Sequence, residues 1–422
     1  MSQQHEKYAA VVVGAGSAGI TVVGNLLEQG LEPILWVDDG FDAGRVNRMY
    51  REVMSNTQVW LMVAYAEYIS VFRKILSGVS SKDIWKGRGQ DSGDTVKDAG
   101  GEDRLSAMRD MDQQEYCELS YAADMLLMFS EELKKFPVVI SQIGWVDNAE
   151  LDENASHSER WTVQINTESA TKTVQTQRLI LCQGAHPIDD DLPVHIPNIR
   201  PLDLDVALSM TRLTEMLGDS GPTTVGVIGA SHSAIIVLMH LYRIASERNR
   251  DLRIRWFTRH HLRYAVQMEG WILRDTTGLK GVPAQWAADN LEPGTLPLSD
   301  VSNYLTKVGY KKGEDVGTFD EELPGCEYYI QAIGYRSNPT PELRYSSGKE
   351  ITPYFNYVKG SFHLTPEESE IGAKGDRAKI PGLYGSGIAW PERVQDPHGN
   401  IELAVGFLKF MKFVRREIPE WN

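Results

Sequence analysis

The chain has 422 residues, 42% of them hydrophobic, and a net charge of −15 from 43 Lys and Arg against 58 Asp and Glu. That length allows two or three domains, and so acidic a balance argues against nucleic acid or an anionic membrane surface as partner. Three scattered cysteines, Cys117, Cys182 and Cys326, exclude a disulfide framework, a CxxC redox pair and a cysteine-based zinc site. No apolar run reaches the ~18 residues of a membrane span. The first apolar run, Tyr8–Val13, ends in glycines without a charged leader or a cleavage site. Composition therefore predicts a soluble, cytoplasmic, multidomain protein that holds no metal.

Ala9–Val13 is a short apolar, partly β-branched run that reads as a buried parallel strand. It passes into Gly14-Ala15-Gly16-Ser17-Ala18-Gly19, followed by Ile20, Val23, Leu26 and Leu27 at helical spacing and a stop at Gly30. A second strand, Ile34–Val37, ends at Asp38-Asp39. Strand, GxGxxG, helix, strand and acid in this order are the dinucleotide-binding arrangement: glycines for the tight turn, for backbone approach to a pyrophosphate and for helix–strand packing. The phosphates would sit on the helix N-terminus with Ser17 and Ala18. The acid, 19 residues past Gly19 at Asp38, would take the ribose diol. Asp38 and Asp39 both remain candidates.

A second copy begins at Thr223–Ile228. It continues through Gly229-Ala230-Ser231-His232-Ser233-Ala234, a helix carrying Ile235, Leu238, Met239, Leu241 and Tyr242, and a strand Leu252–Thr258. Ser231 replaces the second glycine, adding a side chain where a pyrophosphate passes, and Ala234 replaces the third, which is tolerated. Arg259 replaces the acid, and a cation there suits the 2′-phosphate of NADP rather than NAD. Gly229, Ser231, His232, Ser233 and Arg259 are the candidate NADPH contacts. From Arg243 to Arg263, seven arginines stand against two acids, Glu247 and Asp251, a basic stretch sized for one phosphate.

The fold class is thus α/β with two Rossmann-like units. This pairing, acid on the first and cation on the second, resembles the two-dinucleotide-binding flavoproteins, which include disulfide reductases and flavin-dependent monooxygenases. Smaller segments carry the same resemblance. Leu179–Ala185 resembles the strand-plus-ATGA segment, and Tyr328–Tyr335 its second copy. Ile380–Gly387 resembles the "PGLYAAGD" strand, and Ser55-Asn56-Thr57 an "LNTP"-like stretch. Trp161–Val163 with Thr173–Gln177 resembles the β-meander of the FAD domain. The resemblance implies FAD, adds Arg45, Asn56, Gly184 and Gly387 to its contacts, and implies an FAD domain of residues 1–215 plus 336–422 with an NAD(P) domain of 222–335 inserted. The CxxC of the reductases is missing, as is the FxGxxxHxxxY/F signature of Baeyer–Villiger enzymes between Pro187 and Pro222, and Ile388 replaces the family's ribityl-binding Asp.

Residues 60–113 are least family-like and fit either a substrate lid or a surface decoration, with a loop rich in Gly, Asp and Ser over Gly87–Arg104. At the C-terminus, Ile401, Ala404, Val405, Leu408 and Met411 predict one helix face with Asn400 as N-cap. In the family this helix points at the flavin pyrimidine edge, which implies flavin contact for Asn400 and Ile401. His398 then falls near the ring as a candidate proton carrier, against a plain role in the turn.

Three functions compete. The first is an NADPH-dependent flavin monooxygenase: hydride passes to flavin N5, oxygen reacts at C4a, and a small organic substrate is hydroxylated. The second is an FAD oxidase or dehydrogenase with a vestigial nicotinamide site and His398 as base. The third is a nucleotide-binding protein without turnover. Small-molecule substrate and molecular oxygen are the expected partners of the first, and a homodimer is compatible with all three.

Overall fold

A computed structural model describes residues 5–78, 104–155, 160–364 and 379–421. Five strands run parallel at its centre, in the order Lys379–Gly385, Leu179–Leu181, Ala10–Val13, Ile34–Asp38 and Val139–Ile143. Two short antiparallel strands, Tyr354–Phe355 and Ser361–His363, extend one edge. Ala10, Val11 and Val12 are wholly buried, which is why their run is continuously apolar rather than alternating.

One face of this sheet carries the Ser17–Glu28, Val59–Ala66, Leu119–Leu133 and Phe407–Glu417 helices. On the other lies an antiparallel meander of Trp145–Leu151, Trp161–Asn166 and Thr171–Thr176. Trp161 anchors it, donating its indole N–H to the Pro381 carbonyl at 2.9 Å.

The second unit is a sheet of five parallel strands: Arg200–Pro201, Tyr328–Gln331, Thr223–Ile228, Leu252–Thr258 and Leu305–Gly309. The chain crosses from the first unit at Ala185–Pro187 and returns at Tyr335–Ser337, and these two crossings pair antiparallel.

Three sequence expectations differ from this architecture. The first unit does not extend to residue 215: Arg200–Pro201 joins the second sheet, and Leu204, Leu208, Leu213 and Leu217 pack on Val225 and Val227 of its core. The described part of 60–113 is more than a surface decoration, because Tyr65 and Phe72 are wholly buried, with Phe72 stacked on Phe129 at 4.1 Å between ring centroids. The loop proposed over 87–104 lies, up to 103, outside the described residues. Finally, Ile401–Ala404 is a strand paired with Glu392–Gln395, and the last helix starts only at Phe407 with Gly406 as N-cap. The apolar spacing was ambiguous there because a short run serves a strand as well as a helix turn.

Candidate functional site

The first glycine turn separates two kinds of glycine. A Cβ on Gly14 would lie 2.4 Å from the Cys182 carbonyl oxygen, and one on Gly19 would lie 1.8 Å from that of Gly14. Both are fixed by the protein's own packing. A Cβ on Gly16 would meet nothing nearer than the Ala43 carbonyl oxygen at 4.0 Å. Its missing side chain leaves space that the protein does not fill, at the N-terminus of a 12-residue helix with no capping side chain and no acid in its first turn. Backbone N–H groups with that surrounding suit a diphosphate. Two other helix starts are capped by side chains: Asp203 accepts from the Asp205 N–H and Ser209 from the Arg212 N–H.

Asp38 faces this turn. Its carboxylate accepts from the N–H groups of Ala15 at 2.7 Å, Gly40 at 2.9 Å and Phe41 at 2.6 Å. Burial pushes the carboxyl up, and the three N–H donors oppose that rise. Asp39 points away into an exposed ion pair with Arg48 at 3.2 Å. Phe41 and Ala43 hold φ of 53° and 63°, a costly conformation for side-chain-bearing residues, just before Gly44, whose own Cβ would come within 3.3 Å of the Gly16 Cα. Gly387 closes the rim: a Cβ on it would collide with that of Ala18 at 2.6 Å. Gly184 turns the chain at φ 74°, near the Asn338 amide.

The second turn repeats this backbone. Gly229 is pressed on the Ala332 carbonyl, with 2.3 Å to a would-be Cβ. Ser231 takes Gly16's place with nearly the same backbone, φ −88° and ψ −179° against −74° and −173°. Its hydroxyl donates back to the Ala332 carbonyl at 3.4 Å and does not cap the 16-residue helix His232–Glu247. The serine therefore fits without strain. The basic stretch disperses: Arg243 pairs with Glu247, Arg255 donates to the Glu322 and Pro324 carbonyls, and Arg253 lies over Tyr304. Exposed Arg259, His260, His261 and Arg263 collect at the strand's carboxyl end, and Arg259 has no ion pair among the described residues.

A half-buried polar chain centred on the buried Asp205, which sequence reading missed, joins the two turns. Arg45 Nη1 donates to Asp205 at 2.8 Å, and the Tyr50 hydroxyl donates to the same carboxylate at 2.8 Å. Tyr335 reaches both Tyr50 and Ser233. Arg45 and Ser233 are thus held by protein partners. Nothing in the sequence marks Asp205, which looks like one more helix-start acid.

His232 sits elsewhere than expected. Both its ring nitrogens are buried without a hydrogen bond, and the Met54 backbone is among the polar groups that act on it. Burial lowers its pKa to about 4, so it is neutral. The imidazole is packed beside the Met54 backbone of the first unit.

Asn400 and Ile401 begin one arm of a hairpin, not a helix, so neither offers a helix-terminal N–H. Asp396 holds the turn, accepting from the N–H groups of His398 at 2.9 Å and Asn400 at 2.8 Å. His398 is exposed at the hairpin tip, edge-on to Trp271 at 5.0 Å. Asn56 is exposed on the Met54–Gln58 strand, where its side chain accepts only from Thr57 at 3.4 Å. All three cysteines are buried with thiols pushed up by burial, so none is a poised nucleophile. Among the described residues no cluster of metal ligands occurs, and no helix is long and apolar enough to cross a membrane.

Two parallel sheets, each ending in an uncapped helix start behind a glycine turn, with an acid at one and exposed cations at the other, define an oxidoreductase of the two-dinucleotide-binding flavoprotein class. The chain is 42% identical over 419 residues to Monooxygenase AgnR1 of Paecilomyces divaricatus, covering 99% of this chain and 98% of that one. With that relative, it belongs to a family of monooxygenases. Its fold is shared with ornithine N-hydroxylase of Kutzneria sp. 744 at a TM-score of 0.57, with 11% identity over 98% of both chains. It is shared too with NADP+-bound cyclohexanone monooxygenase of Rhodococcus sp. Phi1, at a TM-score of 0.54 and 13% identity over 99% of this chain and 84% of that one. No protein-family model matches the chain.

Proposed function

We propose that the protein is an FAD-dependent monooxygenase that draws its electrons from NADPH and oxygenates a small organic substrate. The observation that carries this is the unfilled space at Gly16, beside an uncapped helix start and the inward-turned Asp38. When bound, FAD supplies the hydride acceptance and oxygen activation that no side chain can provide.

The chain's own residues do the holding. N–H groups at Gly16, Ser17 and Ala18 take the diphosphate, and Asp38 takes the adenosine ribose. Gly184 and Gly387 border the path beyond. The start of the C-terminal helix, at Gly406 and Phe407, replaces Asn400 and Ile401 as the candidate for the flavin's pyrimidine edge. In the second unit, Gly229, Ser231 and the helix start take the NADPH diphosphate, with Arg259 on its 2′-phosphate. The case for a vestigial nicotinamide site was the side chain of Ser231, and its return hydrogen bond to Ala332 weakens that case.

Anaerobic mixing of the FAD-loaded protein with NADPH tests the reading. Rapid bleaching of the flavin absorbance is expected. Bleaching by an organic substrate alone, with none by NADPH, would replace it by the oxidase reading.

A further inference from the structure

The hairpin and last helix of the first unit grip one loop of the second. Glu402 accepts from the backbone N–H groups of Thr276 at 3.1 Å and Thr277 at 3.2 Å and from the Thr277 hydroxyl at 2.5 Å. Lys409 donates to the Thr276 hydroxyl at 3.1 Å and pairs with Asp275 at 2.7 Å. The other Asp275 oxygen is taken by Lys280. Burial alone would raise the Asp275 carboxyl, but the two lysines outweigh it and hold the group below its ordinary range.

Local structure does not require these residues. Lys409 lies in the first turn of the Phe407–Glu417 helix, where a cation opposes the helix dipole. Its placement makes sense through Asp275. Arg274 beside it adopts φ 57°, a strained conformation that its surroundings must enforce.

The loop is fastened just as firmly to its own unit. Leu279 donates to the Arg263 carbonyl at 2.8 Å and Ala265 to that of Leu279 at 3.0 Å, immediately beyond the strand end that bears Arg259. The grip therefore connects the start of the C-terminal helix to the nicotinamide-nucleotide end of the second sheet.

We propose that Asp275, Lys409 and Glu402 form an interdomain clamp of positioning residues that sets the second unit against the first for hydride transfer. The proposal rests on the reading that NADPH reduces a bound FAD. The contacts of the clamp are made between protein groups alone. Hydride transfer is steep in distance and angle, so a loosened clamp lowers the transfer rate while leaving nucleotide contacts in place.

The test uses the full chain. In nucleotide-free protein, Glu402→Gln should speed hydrogen exchange at the Thr276 and Thr277 amides, and unchanged protection overturns the clamp. In FAD-loaded protein, Asp275→Asn and Lys409→Met should each slow limiting anaerobic flavin reduction by roughly tenfold, within what misplacement costs. The dissociation constant for NADPH should stay within about threefold. Asp275→Glu and Lys409→Arg, which keep the charges, should reduce at near wild-type rates. Wild-type rates in Asp275→Asn and Lys409→Met overturn the proposal, as does equal slowing in the charge-keeping pair. If NADPH fails to reduce even the wild type, the proposed function falls, and amide exchange alone decides the clamp.

Discussion

Gly16→Ala separates a cofactor cradle from a packing glycine. The new Cβ would lie 4.0 Å from the nearest protein atom, and φ at Gly16 is −74°, ordinary for any residue. Losing glycine at a helix N-cap costs at most about 1 kcal/mol. The stiffer unfolded chain returns ~0.4–1 kcal/mol. The nucleotide-free protein should therefore keep its stability within about 1 kcal/mol, the range those opposing terms leave. The same methyl would occupy the diphosphate path. Overpacking of that kind costs roughly 1–3 kcal/mol, or about 5- to 150-fold in FAD affinity. Gly19→Ala is the contrast: its Cβ would sit 1.8 Å from the Gly14 carbonyl oxygen and 2.8 Å from its carbon, so backbone must move. That variant should lose about 3 kcal/mol or more before any nucleotide is added. Chemical unfolding of the apoproteins and fluorescence titration with FAD measure the two effects. The reasoning is refuted if Gly16→Ala binds FAD as tightly as wild type, or destabilises the apoprotein as much as Gly19→Ala.

Three further outcomes follow from the site. Asp38→Asn would turn an amide toward the Ala15 N–H and orphan it, costing about 1–3 kcal/mol in the turn and weakening FAD. Asp39→Asn breaks only an exposed ion pair worth about 0–1 kcal/mol, so FAD titration should rank the first variant far below the second. His232 has a folded-state pKa of about 4, below its ordinary 6.5, so its contribution is complete above pH 6.5 and is lost as pH falls toward 4. The loss by pH 4 is on the order of 3 kcal/mol, and unfolding curves at several pH values should show it shrink in His232→Gln. His398→Ala should leave turnover and its pH profile unchanged, since the ring lies at an exposed hairpin tip, edge-on to Trp271; a lost limb of the kcat profile would support it as a proton carrier.

Sequence by itself determined the two dinucleotide units, because each rests on local physics. A buried parallel strand must be continuously apolar, a tight turn with close packing needs Gly14 and Gly19, and an acid or a cation must close the next strand. Its missing CxxC also set the disulfide reductases aside, while three functions stayed open. It could not choose between Asp38 and Asp39, which differ only in the direction of their side chains. That was decided by the Ala15, Gly40 and Phe41 amides. Ser231 read as a weakness until its hydroxyl was seen turned onto Ala332. The helix expected after Asn400 failed because hairpin pairing with Glu392–Gln395 overrode a short apolar run. Only the tertiary structure brought Arg45 to Asp205, or Lys409 to Asp275. Those partners are separated by 160 and 134 positions in the chain, and no periodicity encodes a contact made across a domain boundary.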